Sequence, residues 1–239
     1  VVGNALRTAR FHHDYAMDKL GGPIDRDEWF MPPQMVNAYY NPLANQMVFP
    51  AGILQKPFFD VNASAAVNLG SMGMIVGHEL THGFDDMGAK FAADGNMTDW
   101  WQKEDKEKFE AKGECVVAQY AAYEPLPGTK INGKLTLGEN IADIGGVKFA
   151  YRAYKNVRSG KQPVMADGFD EDQQFFLAVG QAWCSKYREE TARQRLVTDP
   201  HSPAKFRVNG ALANQSEFAE AFECQEGTAM NPANACEVW

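Results

Sequence analysis

Apolar residues recur along this chain at two different spacings, and the spacing changes near residue 63. Between Met31 and Leu54, aromatic and β-branched residues form two short runs separated by an Asn-Pro turn signal, which predicts two short β-strands. After residue 63 the apolar positions repeat every three or four residues, which predicts a helix. The residues that carry this repeat are Ala65, Leu69, Met72, Ile75, Val76 and Leu80.

Later segments also have helical patterns. The alternating charges of residues 103–112 are typical of an exposed helix, and a second helix opens after Thr136-Leu137-Gly138. A third long helix is expected over Asp172 to about Thr191, and a short one over Glu217 to Phe222. Because strands are few, we expect an α+β fold that is predominantly α-helical, with a small sheet beside the helix that follows residue 63.

Composition narrows the possible functions. The 239 residues, 45% hydrophobic and 23% charged, are ordinary for a globular protein of one large or two small domains. A net charge of −8 argues against a nucleic-acid partner, because phosphate binding needs clustered Lys and Arg. No apolar run approaches the roughly 20 residues that a membrane-spanning helix needs, so no membrane segment is expected.

The helix after residue 63 carries the H-E-x-x-H pattern of zinc peptidases, as His78-Glu79-Leu80-Thr81-His82. Histidines four residues apart lie on one face of a helix, so both rings can reach one metal ion. Glu79 flanks that pair and can act as the general base on a water molecule. The alternative is a helix with two hydrogen-bonded histidines and an ion pair, but the pattern favours metal binding.

A catalytic zinc site needs a third protein ligand. The metzincin extension would place glycine and histidine at positions where this chain has Asp85 and Gly88, so that solution fails. Glu139, at the start of a later helix, is the best candidate, and Asp143 lies one turn further on the same face. Asp143 is well placed to accept the free N–H of a zinc-bound histidine. The alternative for both carboxylates is a favourable interaction with the helix dipole.

The remaining histidines give weaker signals. His12 and His13 lie far from the motif and are interpreted as surface residues. His201 lies in the turn-rich segment Asp199-Pro200-His201-Ser202-Pro203, which is suited to presenting a side chain.

The chain has four cysteines, and none of them forms a C-x-x-C pair. A structural zinc knuckle is therefore not expected. An even number fits disulfides, and buried thiols are the alternative. The cysteines are Cys115, Cys184, Cys224 and Cys236.

Three segments in this order resemble the neprilysin and endothelin-converting-enzyme family of zinc metallopeptidases, family M13. They are residues 78–86, residues 138–143 and the Cys-x-x-Trp ending at 236–239, and the resemblance runs from about Val36 to Trp239. It implies a thermolysin-like zincin catalytic domain with one Zn²⁺. His78, His82 and Glu139 would be the zinc ligands, with Glu79 as base.

The resemblance also implies roles for other residues. Asp143 would orient a zinc ligand, His201 would donate to the transition state, and Arg207 would bind the substrate carbonyl on the leaving side. Asn37 and Ala38 would hold the substrate backbone, on an edge strand that pairs with an extended peptide.

Five apolar residues match the pocket for the side chain after the scissile bond, which implies cleavage on the amino side of bulky hydrophobic residues. Core packing is the alternative for all of them, because an apolar residue in a helical stripe is usually core. Ala182 replaces a larger pocket residue, so a roomier pocket is expected. The five are Ile53, Phe58, Met74, Ile75 and Trp183.

Members of this family carry a large helical N-terminal domain. Residues 1–239 are therefore interpreted as a single zinc peptidase catalytic domain, a fragment that lacks most of that domain. The resemblance implies a Cys115–Cys236 disulfide, partners for Cys184 and Cys224 in the missing domain, and an extracytoplasmic location, whether periplasmic, secreted or as an ectodomain. Glu237 replaces an arginine of neprilysin, so a preference for a free substrate carboxylate is not implied.

The function expected is that of a zinc-dependent endopeptidase acting on oligopeptides. One alternative is a thermolysin-like peptidase that is complete without an N-terminal domain. Another is a catalytically inactive zinc-binding peptide-recognition domain, whose mark would be a missing base or ligand. A structural zinc site would need four protein ligands, and the pattern supplies three beside a base.

Overall fold

The computed structural model describes all 239 residues, which form two compact units, Val1–Phe30 and Met31–Trp239. The first unit contains helix α1, Val2–Asp18, which has no buried side chain. His12 and His13 lie on this helix and are exposed, as the sequence predicts. The helix itself was not expected, because a segment with no buried face leaves little periodic signal.

The second unit begins with a two-stranded antiparallel sheet of β1, Tyr39–Asn41, and β2, Gln46–Val48. Tyr39 lies opposite Val48 across the sheet. The prediction of two short strands around the Asn-Pro turn is confirmed. Asn37, however, precedes β1 by two residues and is not itself part of a strand.

The rest of this unit is helical. The main helices are α2 Ala65–Asn68, α3 Met74–Thr81, α4 Lys103–Ala122, α5 Leu137–Arg158, α6 Glu171–Ala182, α7 Glu189–Thr198, α8 Ala204–Leu212 and α9 Ser216–Ala221. A π-helical turn, Leu69–Gly73, joins α2 to α3, and 3₁₀ turns cover Ala51–Ile53, His82–Phe84 and Gly88–Lys90. None of these helices combines the length and apolar character needed to cross a bilayer.

Helix α6 is shorter than the sequence pattern predicts. It ends at Ala182, with Trp183 as its C-terminal cap, whereas the pattern extended it to about Thr191. Residues 184–188 are not helical, and α7 starts at Glu189. The segment between the two helices contains neither glycine nor proline, so the sequence carries no strong stop signal there.

Helices α3 and α5 cross with their backbones in direct contact, which places the H-E-x-x-H segment. A Cβ atom on Gly77 would lie 2.8 Å from the carbonyl oxygen of Gly146. A Cβ on Gly146 would lie 2.8 Å from the backbone nitrogen of His78. Only glycine permits this approach, and it brings the first turns of α5 beside the H-E-x-x-H segment.

The C-terminal tail is tied to the domain by a disulfide between Cys115 on α4 and Cys236, as the resemblance implies. Trp239 stacks on Phe109 with ring centroids 5.4 Å apart. Lys148 on α5 donates to Glu237 at 2.6 Å. Cys184 is exposed and Cys224 partly buried, and both are free thiols.

Candidate metal centre

Helices α3 and α5, the turn after α3 and the loop after α7 supply most of the polar residues of the site. Helix α3 carries His78 and Glu79, both of which are buried, and His82 begins the 3₁₀ turn that follows. Helix α5 carries Glu139 in its first turn and Asp143 one turn later. The loop after α7 carries His201. The close α3–α5 crossing brings side chains together that are far apart in sequence.

The three residues predicted as metal ligands converge on one point. One potential ligand atom from each of His78, His82 and Glu139 lies within 4.8 Å of the others. The Nε2 atoms of the two histidines are 3.0 Å apart. The carboxylate of Glu139 lies 3.3 Å from Nε2 of His78 and 3.7 Å from Nε2 of His82.

Each histidine ring is oriented by a carboxylate on its other nitrogen. Nδ1 of His78 lies 2.9 Å from Asp143 Oδ1, and Nδ1 of His82 lies 2.7 Å from Asp85 Oδ2. With the Nδ1 protons directed at carboxylates, the two Nε2 lone pairs face each other. Such lone pairs repel unless a cation or a proton lies between them.

The sequence did not lead us to predict Asp85 as an orienting carboxylate, because that position was considered only for the glycine of the metzincin extension. The signal was available, because Asp85 follows His82 by less than one turn. A carboxylate at that spacing can reach the ring nitrogen that faces away from the metal. Asp85 also accepts hydrogen bonds from the backbone nitrogens of Met87 and Gly88, at 2.8 and 2.6 Å, which hold it in place.

The residues present fit a zinc ion. Oε2 of Glu139 is buried and has no hydrogen-bond partner, an unusual state for a carboxylate oxygen. Its open position, beside two imidazole nitrogens, matches the His₂Glu donor set of catalytic zinc sites. The number of protein donors also leaves a coordination position open for water or substrate.

The electrostatics of the site favour a positive charge at its centre. Burial lowers the pKa of His78, but the neighbouring carboxylates of Asp143 and Glu139 outweigh it and raise that pKa to about 9. Burial opposes ionisation of Asp143 as well, yet Arg207 and His78 together hold its pKa below the usual value. Glu79 is 5% exposed, and burial raises its pKa above the ordinary glutamate value.

Arg207, on α8, is buried behind the histidines. Its Nε and Nη2 donate to the two oxygens of Asp143 at 2.8 and 2.7 Å, and its guanidinium lies 3.8 Å from the ring centroid of Trp183. Nη2 also approaches Oε2 of Glu139 at 3.5 Å. Arg207 thus compensates the buried charge of Asp143, a contact that the sequence did not predict.

His201 also lies close to Glu139. Its Nε2 lies 3.3 Å from Oε1 of Glu139. Its Nδ1 and its backbone nitrogen both donate to Oδ1 of Asp199, at 2.7 and 2.9 Å. Asp199, two residues earlier, is a second orienting carboxylate that sequence reasoning did not identify, although it lies in the segment singled out for His201.

A cavity of about 430 Å³ opens over these groups. Met74 is an exception among the predicted pocket residues, because it is fully buried in the core and does not line the cavity. Ala182 is buried and does not line it either. The predicted site residues that do line it are Asn37, Ala38, Ile53, Phe58, Ile75, His78, Glu79, His82, Glu139, Trp183, His201 and Arg207.

Several known proteins are similar to this chain in sequence and in fold. Residues 37–238 match peptidase family M13. Mouse endothelin-converting enzyme 1 is 48% identical over 239 residues, covering 99% of this chain, and Drosophila melanogaster neprilysin-3 is 45% identical with the same coverage. A crystal structure of the Mycobacterium tuberculosis zinc metalloprotease Zmp1 in complex with inhibitor superposes with a TM-score of 0.91 at 45% identity.

These relatives are much longer than the chain. It spans 31% of the mouse enzyme and 30% of neprilysin-3, and it covers 36% of the Zmp1 chain while 95% of its own length is matched. The family match nevertheless covers most of the chain, and the relatives and the structure agree with it. The chain therefore belongs to peptidase family M13.

Proposed function

We propose that this chain is the catalytic part of a zinc-dependent endopeptidase that hydrolyses oligopeptides, with one Zn²⁺ held by His78, His82 and Glu139. The observation that carries the proposal is the convergence of these three donors with Glu79 on the wall of one cavity. A catalytically inactive peptide-binding domain has less support, because its mark would be a missing base or ligand, and the chain has residues suited to each of these roles.

A bound zinc ion would polarise the scissile carbonyl and lower the pKa of a water molecule beside it. Glu79 is proposed to take the proton of the attacking water and to pass it to the leaving amine. Its burial supports this role, because a raised pKa brings a carboxylate nearer to the range in which it can both accept and return a proton.

His201 and Arg207 are proposed to bind the oxygens of the reacting peptide. In its imidazolium form, His201 would donate from Nδ1 to Asp199 and from Nε2, on the cavity wall, to the oxygen that gains negative charge as the carbonyl is attacked. Nη1 of Arg207, which takes no part in the pairing with Asp143, would donate to the substrate carbonyl on the leaving side. The Asp143 pairing would keep the guanidinium plane fixed.

We propose cleavage on the amino side of bulky hydrophobic residues. Ile53, Phe58, Ile75 and Trp183 form an apolar part of the cavity wall close to the metal ligands, which supports a pocket for such a side chain. Asn37 and Ala38, which also line the cavity, would hold the substrate backbone as an extended strand, although they precede β1 and are not in it.

The chain is proposed to be a single catalytic domain, residues 1–239, of a longer extracytoplasmic protein. The relatives are about three times as long, and the Cys115–Cys236 disulfide fits an oxidising compartment. The free thiols of Cys184 and Cys224 are proposed to pair with cysteines of an N-terminal domain. A thermolysin-like peptidase complete without such a domain is the alternative, and it would leave both thiols free.

Cleavage of a quenched peptide with Phe or Leu after the scissile bond tests this function. We expect zinc to activate the protein, chelator to stop it, and a matched peptide with Asp at that position to react poorly. Glu79→Gln should keep zinc binding and lose about 10²-fold or more in kcat, because a general base contributes 10²–10⁴-fold. A zinc-loaded, folded protein that cleaves no peptide would support the binding-domain alternative.

A further inference from the structure

The carboxylate of Asp199 is held at both of its oxygens. Oδ1 accepts the two hydrogen bonds from His201, and Oδ2 lies 2.7 Å from Nη2 of Arg195. A carboxylate bound at one oxygen can turn about its Cβ–Cγ bond, whereas one bound at both must break a hydrogen bond to do so. Arg195 therefore fixes the orientation in which Asp199 presents Oδ1 to His201.

The position of Asp199 in the fold makes a neighbouring cation favourable. Asp199 is the C-terminal cap of α7, where the helix dipole is negative and a second negative charge is unfavourable. Arg195, in the last turn of the same helix, is the basic residue that offsets it. Burial raises the pKa of Asp199, but its hydrogen bonds with His201 and the charge of Arg195 outweigh that effect and lower it.

Arg195 is itself held in place. Its guanidinium lies 4.8 Å from the ring centroid of Tyr187, in the segment that leads into α7. Neighbouring Arg193 makes a similar ion pair four residues apart, with Glu189 at 2.7 Å. The two arginines lie on the same helix and are similarly exposed. They differ in what their acidic partners contact, because only Asp199 is hydrogen-bonded to a residue of the cavity wall, His201.

We propose that Arg195 is a positioning residue for His201, acting through Asp199, in the peptide hydrolysis proposed above, on which this inference rests. Without Arg195, Asp199 can rotate, and Nε2 of His201 loses its fixed direction toward the reacting oxygen. Donation to the transition state weakens, while binding of the substrate, which depends on other parts of the cavity, changes little. The effect therefore belongs to kcat and not to KM.

The test compares Arg195→Met with Arg195→Lys and with the matched control Arg193→Met in the zinc-loaded protein. We expect Arg195→Met to lower kcat about five- to tenfold, the loss that corresponds to the net contribution of one ordinary hydrogen bond, with KM within about twofold. Arg195→Lys should restore most of the rate, and Arg193→Met should leave it unchanged. Adding Arg195→Met to Asp199→Asn should cause no further loss, because both changes break one chain of contacts.

A second measurement, the imidazole ¹⁵N NMR signals of His201, does not depend on activity. We expect one set of sharp signals in the parent protein, with Nδ1 protonated and hydrogen-bonded to Asp199, and exchange broadening of these signals in Arg195→Met. Equal kcat and unchanged His201 signals in Arg195→Met would overturn the positioning role. If the parent protein cleaves nothing while the His201 signals respond as expected, the proposed function fails and the positioning role stands.

Discussion

Asp143 serves two buried partners at once, since it accepts from Nδ1 of His78 and from both Nε and Nη2 of Arg207. It is 1% exposed, so water cannot take over either contact. A charge that is removed from such a cluster leaves its partners uncompensated in a medium of low dielectric constant. The stability of the domain and the orientation of His78, a proposed zinc ligand, therefore depend on the same carboxylate.

Asp143→Asn keeps the size of the side chain and removes this charge. We expect zinc affinity to fall about 10- to 100-fold, the usual effect of losing a carboxylate that orients a ligating histidine. The free energy of unfolding should fall by about 3 kcal/mol, because Arg207 is left buried without a counter-charge. Competition with a zinc-binding dye and urea unfolding measure the two effects.

Asp99→Asn is the matched control. Asp99 pairs with Lys106 at 3.1 Å on the surface, where an ion pair contributes at most about 1 kcal/mol. Zinc affinity in Asp143→Asn equal to that of the control would show that Asp143 does not position His78.

At the scale of elements, the metal centre depends on the contact between α3 and α5 at Gly77 and Gly146. The atoms that a Cβ on Gly146 would meet, the Met74 oxygen at 2.7 Å and the His78 nitrogen at 2.8 Å, belong to the backbone. A side-chain clash can be relieved by rotation, but this one requires the helices to move apart. Such a movement would separate Glu139 from His78.

Gly146→Ala should therefore lower the free energy of unfolding by about 3 kcal/mol, as overpacking of a dense core does, and should weaken zinc binding in the same variant. Gly113→Ala is the control, since a Cβ there meets Leu137 at an ordinary 3.8 Å inside α4. Its expected effect is neutral to stabilising by up to about 1 kcal/mol, because alanine favours a helix. Equal losses of stability and of zinc affinity in the two variants would show that the metal centre does not depend on the contact at Gly77 and Gly146.

The sequence predicts the ligand-bearing helices well, because H-E-x-x-H and the paired Glu139 and Asp143 are local patterns with a clear chemical reading. It does not predict the pairing of Asp143 with Arg207, which depends on how α5 and α8 pack. The pairing of Asp85 with His82 is local, and their spacing could have indicated it. The end of α6 at Ala182 was also missed. Nothing in the residues after it breaks a helix, so tertiary packing determines that boundary.

At the scale of the whole molecule, the Cys115–Cys236 disulfide encloses a loop of 121 residues that contains α5 to α9. The cysteine spacing alone could not identify this pair among four cysteines, and only the family resemblance did. Because the loop is long, the crosslink removes much conformational freedom from the unfolded chain.

Replacing both cysteines, as Cys115→Ala with Cys236→Ala, should lower the free energy of unfolding by roughly 4 to 5 kcal/mol in the chain-entropy description of such a loop. Urea unfolding under oxidising conditions measures the change. Cys184→Ser, which alters an exposed free thiol, should have little effect. A double variant as stable as Cys184→Ser would mean that the tail is held by packing of Trp239 and not by the crosslink.

The crossing of α3 and α5 also makes the geometry of the metal centre sensitive to the tilt of α5. Gly77 adjoins His78, whereas Gly146 lies about two turns, roughly 10 Å, along α5 from Glu139. If α5 tilts about the crossing, His78 lies close to the rotation axis and Glu139 lies far from it. A tilt of α5 by about 5° carries that carboxylate about 1 Å. A contact that displaces the first turns of α5 would therefore change the distance from the Glu139 carboxylate to His78 and His82 while the two histidines keep their positions.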